Sequence, residues 1–128
     1  MLKVALIGSS DLAGGASRAM YRLHRGLLDI GVDSRVLVQA KLTSDPDVYG
    51  LGSAGAKAWA QVAAYLDRLP VRRYPNRKPG RFSPAWVPDV LRDRIARLSP
   101  DLVHLHWVGD GMMRIETLRG LQLSLIHI

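Results

Sequence analysis

The sequence predicts an α/β fold, a parallel sheet with helices on both faces, and three observations carry that expectation. A short apolar run, Leu2–Ile7, is followed by the glycine pair Gly14-Gly15 and then by a segment of strong helical period. A second apolar run, Val36-Leu37-Val38, comes directly after that helix, and a third, within Asp101–Trp107, comes after a later helical stretch. Strands apolar on successive residues, separated by helices, are the pattern of a sheet buried on both sides.

Each element has a local reason. Leu2–Ile7 is short and almost wholly apolar, as a doubly covered strand requires. The first helix is expected from about Gly15 to Ile30, because Ala16, Ala19, Met20, Leu23, Leu27 and Ile30 repeat at helical spacing. Arg18, Arg22, His24 and Arg25 then read as solvated positions, and Gly31 as the helix stop. Arg35–Gln39 is the next strand, closing a βαβ unit whose crossover is expected to be right-handed.

The segment 40–53, rich in Ser, Asp, Pro and Gly, reads as loop. Ala54–Leu69 reads as a helix with Trp59, Val62, Ala63, Leu66 and Leu69 on one stripe, ended by Pro70. Val71–Pro84 reads as a mobile basic loop. Pro88 is placed as the first residue of a helix whose Val90, Leu91, Ile95 and Leu98 face the core. Asp101–Trp107 is the last strand, and a final helix starts at Asp110 or Gly111. No internal repeat or low-complexity tract is present.

Composition narrows the function classes. At 128 residues and 48% apolar the chain builds one core, not two. It has no cysteine, so disulfides and thiolate metal sites are excluded. The apolar stretch after Lys3 is too short for a secretory signal, and no apolar run approaches the roughly 20 residues of a membrane span. A cytoplasmic location is therefore expected. The net charge of +7 is local: Arg68, Arg72, Arg73, Arg77, Lys78 and Arg81 supply nearly all the excess, with no acidic residue among them. That segment fits ordinary solvated charge or a surface for anionic lipid head groups, since the helix before it is amphipathic and carries Trp59. Nucleic acid is not an expected partner, because only Tyr74 and Phe82 interleave with the basic residues.

Gly14 and Gly15 lie beyond the carboxyl end of the first strand, where open α/β sheets hold ligands. Glycine lets a backbone come close to a ligand, and the helix that follows aims unpaired N–H groups at the same space, which favours an anion. The spacing Gly8…Gly14-Gly15 is not the dinucleotide fingerprint, and no Walker sequence is present. By itself it supports backbone approach at a helix start, or equally a turn that only packs the helix on the sheet. His104 and His106 alternate with Leu105 and so share one strand face. No third ligand stands at metal spacing, so no metal is expected. His106, nearer the carboxyl end, is the better candidate for substrate contact, His104 for a structural hydrogen bond, and Trp107 for packing. Asp11 and Asp110 read as caps of the helices that follow, or as groups that orient a hydroxyl.

The wording from Ser9 through Gly14-Gly15-Ala16-Ser17-Arg18 to Leu27, continued by Gly31–Val38, resembles the amino terminus of bacterial GT-B glycosyltransferases. These are the retaining, family-four-like enzymes of exopolysaccharide, colanic acid and lipopolysaccharide assembly. Pro100-Asp101-Leu102-Val103-His104-Leu105-His106-Trp107-Val108 is similar to a strand of the same group, and the two segments stand in the same order. The likeness covers roughly residues 2–39 and 85–121. It implies a Rossmann-like domain over 1–121, the acceptor-side half of a GT-B architecture, with 122–128 a tail of no assigned origin. It also implies a truncated chain, whose donor-binding domain is absent and which alone catalyses nothing.

The parent activity so implied is transfer of a sugar, with retention of configuration, from a nucleotide-sugar donor to a saccharide acceptor, expected to be lipid-linked, without a metal or other cofactor. The glycine loop would lie near the donor phosphates. Substrate-binding residues are then Gly14, Gly15 and His106; Arg72, Arg73, Arg77 and Lys78 would contact an anionic membrane at its inner face. The competing reading is a stand-alone α/β binding or regulatory module whose glycine turn serves folding alone.

Overall fold

Strand β1 (Lys3–Ile7) is paired on both sides, and the sheet grows outward from it. The computed structural model describes residues 1–80 and 82–121. Helix α1 (Gly15–Asp29) leads to β2 (Asp33–Leu37) and β3 (Val48–Tyr49); α2 (Ala54–Arg68) runs into a 3-10 helix, Pro70–Arg73. Helix α3 (Leu91–Leu98), β4 (Leu102–Leu105) and α4 (Ile115–Gly120) follow. The four strands stand in the order β3-β2-β1-β4, every pair parallel. Lys3–Ile7 is in register with Asp33–Leu37, and Val4–Ile7 with Leu102–Leu105.

The α/β expectation, with helices on both faces, holds. Val4, Leu6, Val36 and Val38 pack with Met20 of α1 on one face, while Ile7, Leu37 and Val103 pack with Leu91 and Ile95 of α3 on the other. Alternate residues of the same strands feed the two clusters, which is why the strands carry no polar face to read. Helix α1 ends as expected at Gly31, whose φ of +82° suits glycine, with the Val32 amide donating to the Leu27 carbonyl at 3.0 Å.

The second strand begins two residues earlier than the expected Arg35, because the Asp33 amide already bonds the Leu2 carbonyl at 3.1 Å. Its polar start, Asp33-Ser34-Arg35, disguised it. Segment 40–53 is not all loop: Val48–Tyr49 adds a strand, through bonds from the Val36 amide to Asp47 and from the Val38 amide to Tyr49. Helix α3 starts at Leu91 and not at Pro88, since the Asp89 carboxylate takes the Leu91 amide at 3.0 Å and holds the chain in a turn. Helix α4 starts at Ile115, because Asp110 and Gly111 adopt left-handed φ angles of +56° and +76°. A Cβ on Gly111 would lie 2.6 Å from the Ala63 carbonyl oxygen, so that turn is pressed against α2.

Helix α2 buries only part of its apolar stripe. Ala63 and Asp67 are buried, whereas Trp59 and Val62 are 41% and 47% exposed. Asp67 holds that inner face: its carboxylate accepts from Ser83 Oγ at 2.5 Å and from the Ala85 amide at 2.9 Å. Arg94 of α3 reaches across, donating to the carbonyls of Val38, Tyr49 and Gly50 at 3.1–3.4 Å, and so ties α3 to the carboxyl ends of β2 and β3.

His24 is the main correction. It is fully buried, not solvated; its Nδ1 lies 2.9 Å from Ser34 Oγ and its Nε2 3.6 Å from Asp45 Oδ2. Asp45 also accepts from Tyr21 Oη at 3.0 Å and sits 3.5 Å from Arg25 Nη1. Burial lowers the imidazole pKa from its ordinary 6.5, and the Asp45 and Asp47 carboxylates oppose that without cancelling it. The unfolded chain therefore binds the proton more readily, and stability present above pH 6.5 is lost as pH falls toward the folded value. The thermal midpoint is expected to drop on acidification from about pH 7.5 to 5.5, and a His24→Gln variant, which keeps a partner for Ser34, to flatten that slope. An unchanged slope in thermal melts across this range contradicts the assignment.

Candidate functional site

The chain adds β2 and β3 on one side of β1 and then β4 on the other, and such a reversal of strand order is where an open parallel sheet forms a crevice at its carboxyl edge. The backbone there is tightly laced. The His106 amide donates to Ile7 at 2.8 Å, the Ser9 amide to Trp107 at 3.0 Å, and the Gln39 and Ala40 amides to Ser9. Gly8 is the close-packed glycine: a Cβ would lie 3.0 Å from Met20 of α1 and 3.8 Å from the His106 Cβ. That requirement for glycine escaped the sequence reading, which looked to the later pair.

Gly14 and Gly15 are exposed on the rim, and a Cβ at either meets nothing within 4 Å. Gly14, with φ of +92°, is the residue before α1, and no side chain caps the helix. Ser10 Oγ instead accepts from the Leu12 and Ala13 amides, so the loop satisfies itself just ahead of the helix. The Gly15, Ala16 and Ser17 amides consequently make no hydrogen bond among the described residues. Three unclaimed donors at the positive end of a fifteen-residue helix suit an anion. Arg18, in the same first turn, is exposed and in no ion pair among the described residues.

His104 and His106 do share a face, with ring centroids 4.5 Å apart. His104 makes no side-chain hydrogen bond among the described residues, so it stacks where a hydrogen bond was expected. His106 Nε2 is buried and without a partner among the described residues, and burial, then the His104 charge, lowers its pKa below the usual 6.5. A neutral imidazole results. Trp107 is 40% exposed and lies over Gly109, where a Cβ would be 2.9 Å from its ring.

Asp11 and Asp110 are not helix caps. Asp11 is fully buried and accepts from the Leu42 amide at 2.8 Å and from the Thr43 amide and hydroxyl at 2.9 and 2.6 Å. Burial alone would raise its pKa, but those bonds outweigh it and hold the carboxylate below its ordinary range. It fastens the loop after β2 to the loop after β1. Asp110 Oδ1 lies 3.4 Å from Arg68 Nη2, and its amide donates to Ser83 Oγ.

A cleft of about 990 Å³ runs along the carboxyl ends of β1, β2 and β3, walled by Ser9, Gln39, Lys41, Lys57, Gln61 and Asp110 among others. Gly14, Gly15 and His106 do not line it, so the glycine rim, the histidine and the cleft are separate features of one edge. The segment 40–53, read as plain loop, supplies much of this cleft; Lys41 and Lys57 carried no sequence motif that marked them. Arg72, Arg73, Arg77 and Lys78 are all exposed; Arg81 and the tail 122–128 lie outside the described residues. Part of the basic segment is regular: Pro70–Arg73 is a 3-10 helix, Arg72 stacks on Tyr65 at 5.1 Å, and Arg77 Nη1 donates to the Val71 and Tyr74 carbonyls. No helix among the described residues is long and apolar enough to cross a membrane, and no cluster of three or more potential metal ligands occurs among them.

Comparison with known proteins gave one family. The family model for Glycosyltransferase Family 4 matches residues 13–127, from the glycine rim through β4 and beyond. No match was found among curated proteins or among solved structures. A match over nearly the whole chain, on a parallel sheet with the β3-β2-β1-β4 order, settles the family: the chain belongs to Glycosyltransferase Family 4.

Proposed function

We propose that this chain forms the acceptor-side, Rossmann-like part of a transferase that moves a sugar from a nucleotide-diphosphate sugar to a lipid-linked saccharide. The observation that carries the reading is the unclaimed first turn of α1, open behind Gly14 and Gly15 at the carboxyl edge of the sheet. Sugar transfer from such a donor leaves charge on the departing diphosphate. Preset backbone N–H groups offset that charge without reorganising. In the same reading a second Rossmann-like domain holds the nucleoside, and its closing on this edge brings a sugar hydroxyl to the His106 ring, whose buried Nε2 has no partner among the described residues.

A lipid-linked acceptor would be met at a membrane, and the surface is suited to that. Arg72, Arg73, Arg77 and Lys78 are exposed beside Tyr65, Tyr74 and Phe82, themselves 51–68% exposed. Cationic side chains attract anionic lipid, and amphipathic aromatic rings settle at the headgroup level. A cytoplasmic protein held peripherally at the inner face of the membrane is the location this supports. The competing module without catalysis would leave that first turn to solvent, with the glycine pair serving as a turn.

A Gly15→Leu variant is expected to keep or slightly raise the thermal midpoint, since leucine is the better helix former by under about 1 kcal/mol. Its affinity for nucleotide-diphosphate sugars is expected to fall about tenfold or more, read by calorimetry over a panel of donors. Unchanged affinity contradicts the close-approach role. Replacing Arg72, Arg73, Arg77 and Lys78 together by Gln is expected to abolish flotation with anionic vesicles, while flotation undiminished by that change contradicts the membrane contact.

A further inference from the structure

Helix α2, the 3-10 helix and the residues Gly80, Phe82 and Pro84 wall two adjoining pockets of opposite character. One, of about 300 Å³, is walled by Arg68, Arg72, Arg77, Gly80 and Phe82, with Asp110 at its margin. The other, of about 360 Å³, is walled by Pro70, Tyr74, Phe82 and Pro84. Val71, Arg77 and Phe82 belong to both, so the two are continuous across a shared wall.

The arginines of the first pocket are held in place. Arg72 lies over the Tyr65 ring at 5.1 Å, Arg77 is pinned through Nη1 by two carbonyls at 3.3 Å, and Arg68 is steadied by Asp110 at 3.4 Å. Three guanidinium groups thus face one carboxylate. Each carries five N–H donors, so most remain free, and their planar fork matches the oxygens of a phosphate. The second pocket exposes ring and proline carbons to water, which a hydrocarbon would cover favourably.

From this pairing we infer that the two pockets form one site for an amphiphilic phosphate, its head among Arg68, Arg72 and Arg77 and its hydrocarbon in the trough of Tyr74 and Phe82. The inference deepens the lipid-linked acceptor reading and rests on it. Asp110 gives the reason: it lines the arginine pocket and also the 990 Å³ cleft at the carboxyl edge. A phosphate bound by the arginines therefore sits next to that cleft, with its lipid directed away along the trough.

The test is calorimetric titration of the full chain with farnesyl phosphate, farnesol, inorganic phosphate and dihexanoyl phosphatidylglycerol, each below its micelle concentration. Saturable binding of a lipid phosphate at least about tenfold tighter than of farnesol or inorganic phosphate supports the site. Preference for farnesyl phosphate identifies a single-chain lipid carrier as the source; equal or greater affinity for phosphatidylglycerol identifies a bilayer headgroup. Arg68→Gln with Arg77→Gln is expected to lose that binding about tenfold, and Phe82→Gln to weaken the lipid phosphates while leaving inorganic phosphate unchanged. Arg22→Gln with Arg97→Gln, on exposed faces elsewhere, is expected to change nothing. Inorganic phosphate binding as tightly as the lipids, or equal loss in the two arginine pairs, overturns the site, and unchanged melting curves exclude misfolding as the cause. No nucleotide sugar is present, so a negative result counts against this site alone, whereas the Gly15→Leu titration judges the donor reading.

Discussion

Everything at the functional edge depends on β1 having its backbone claimed on both sides. Lys3–Ile7 bonds β2 along one flank and β4 along the other, and Val4 to Ile7 are buried on both faces. A strand so held can release the chain only at its carboxyl end, and there Gly8 lies close against α1, where a Cβ would come within 3.0 Å of the Met20 Sδ and Cε. The direction of that exit places the start of α1 on the rim. The parallel pairing and the tight glycine therefore come before any ligand chemistry; they put an uncapped helix terminus at the edge where open α/β sheets bind their ligands.

Three buried or part-buried aspartates then fix the loops around that edge. Asp11 takes two amides and a hydroxyl from the loop after β2, Asp67 takes Ser83 and the Ala85 amide, and Asp89 takes the Leu91 and Arg114 amides with Thr117. Each carboxylate satisfies donors that would otherwise be lost on burial, a cost of about 1–3 kcal/mol apiece. The edge is thereby shaped in advance of ligand, as the proposed stabilisation of a departing phosphate would require. No group among the described residues is similarly spent on the first turn of α1.

The fold was legible where the signal was local. Successive apolar residues gave β1 and the core of β2, helical spacing gave α1, and Gly31 gave its end. What stayed hidden rests on distant partners. Val48–Tyr49 is a strand only because β2 lies beside it. His24 looks solvated among arginines until Ser34 and Asp45 close over it, and Asp11 resembles a helix cap until residues 42 and 43 arrive. The inner face of α2 has the same origin, since Asp67 is drawn inward by Ser83 and the Ala85 amide while Trp59 and Val62 stay exposed. At the site, the open glycine pair and the shared histidine face were readable from spacing. The need for glycine at Gly8, the lysines of the cleft and the convergence of Arg68 on Asp110 were not, because each is a meeting of segments.

The central claim is that the first turn of α1 is an anion seat kept free by the fold. Amide chemical shifts of nitrogen-15-labelled chain, followed while inorganic pyrophosphate is added, address it directly. The account predicts saturable shifts at the Gly15, Ala16 and Ser17 amides, with their neighbours in β1 unmoved. Those three amides staying still, while only the segment from Arg72 to Lys78 responds, would contradict it.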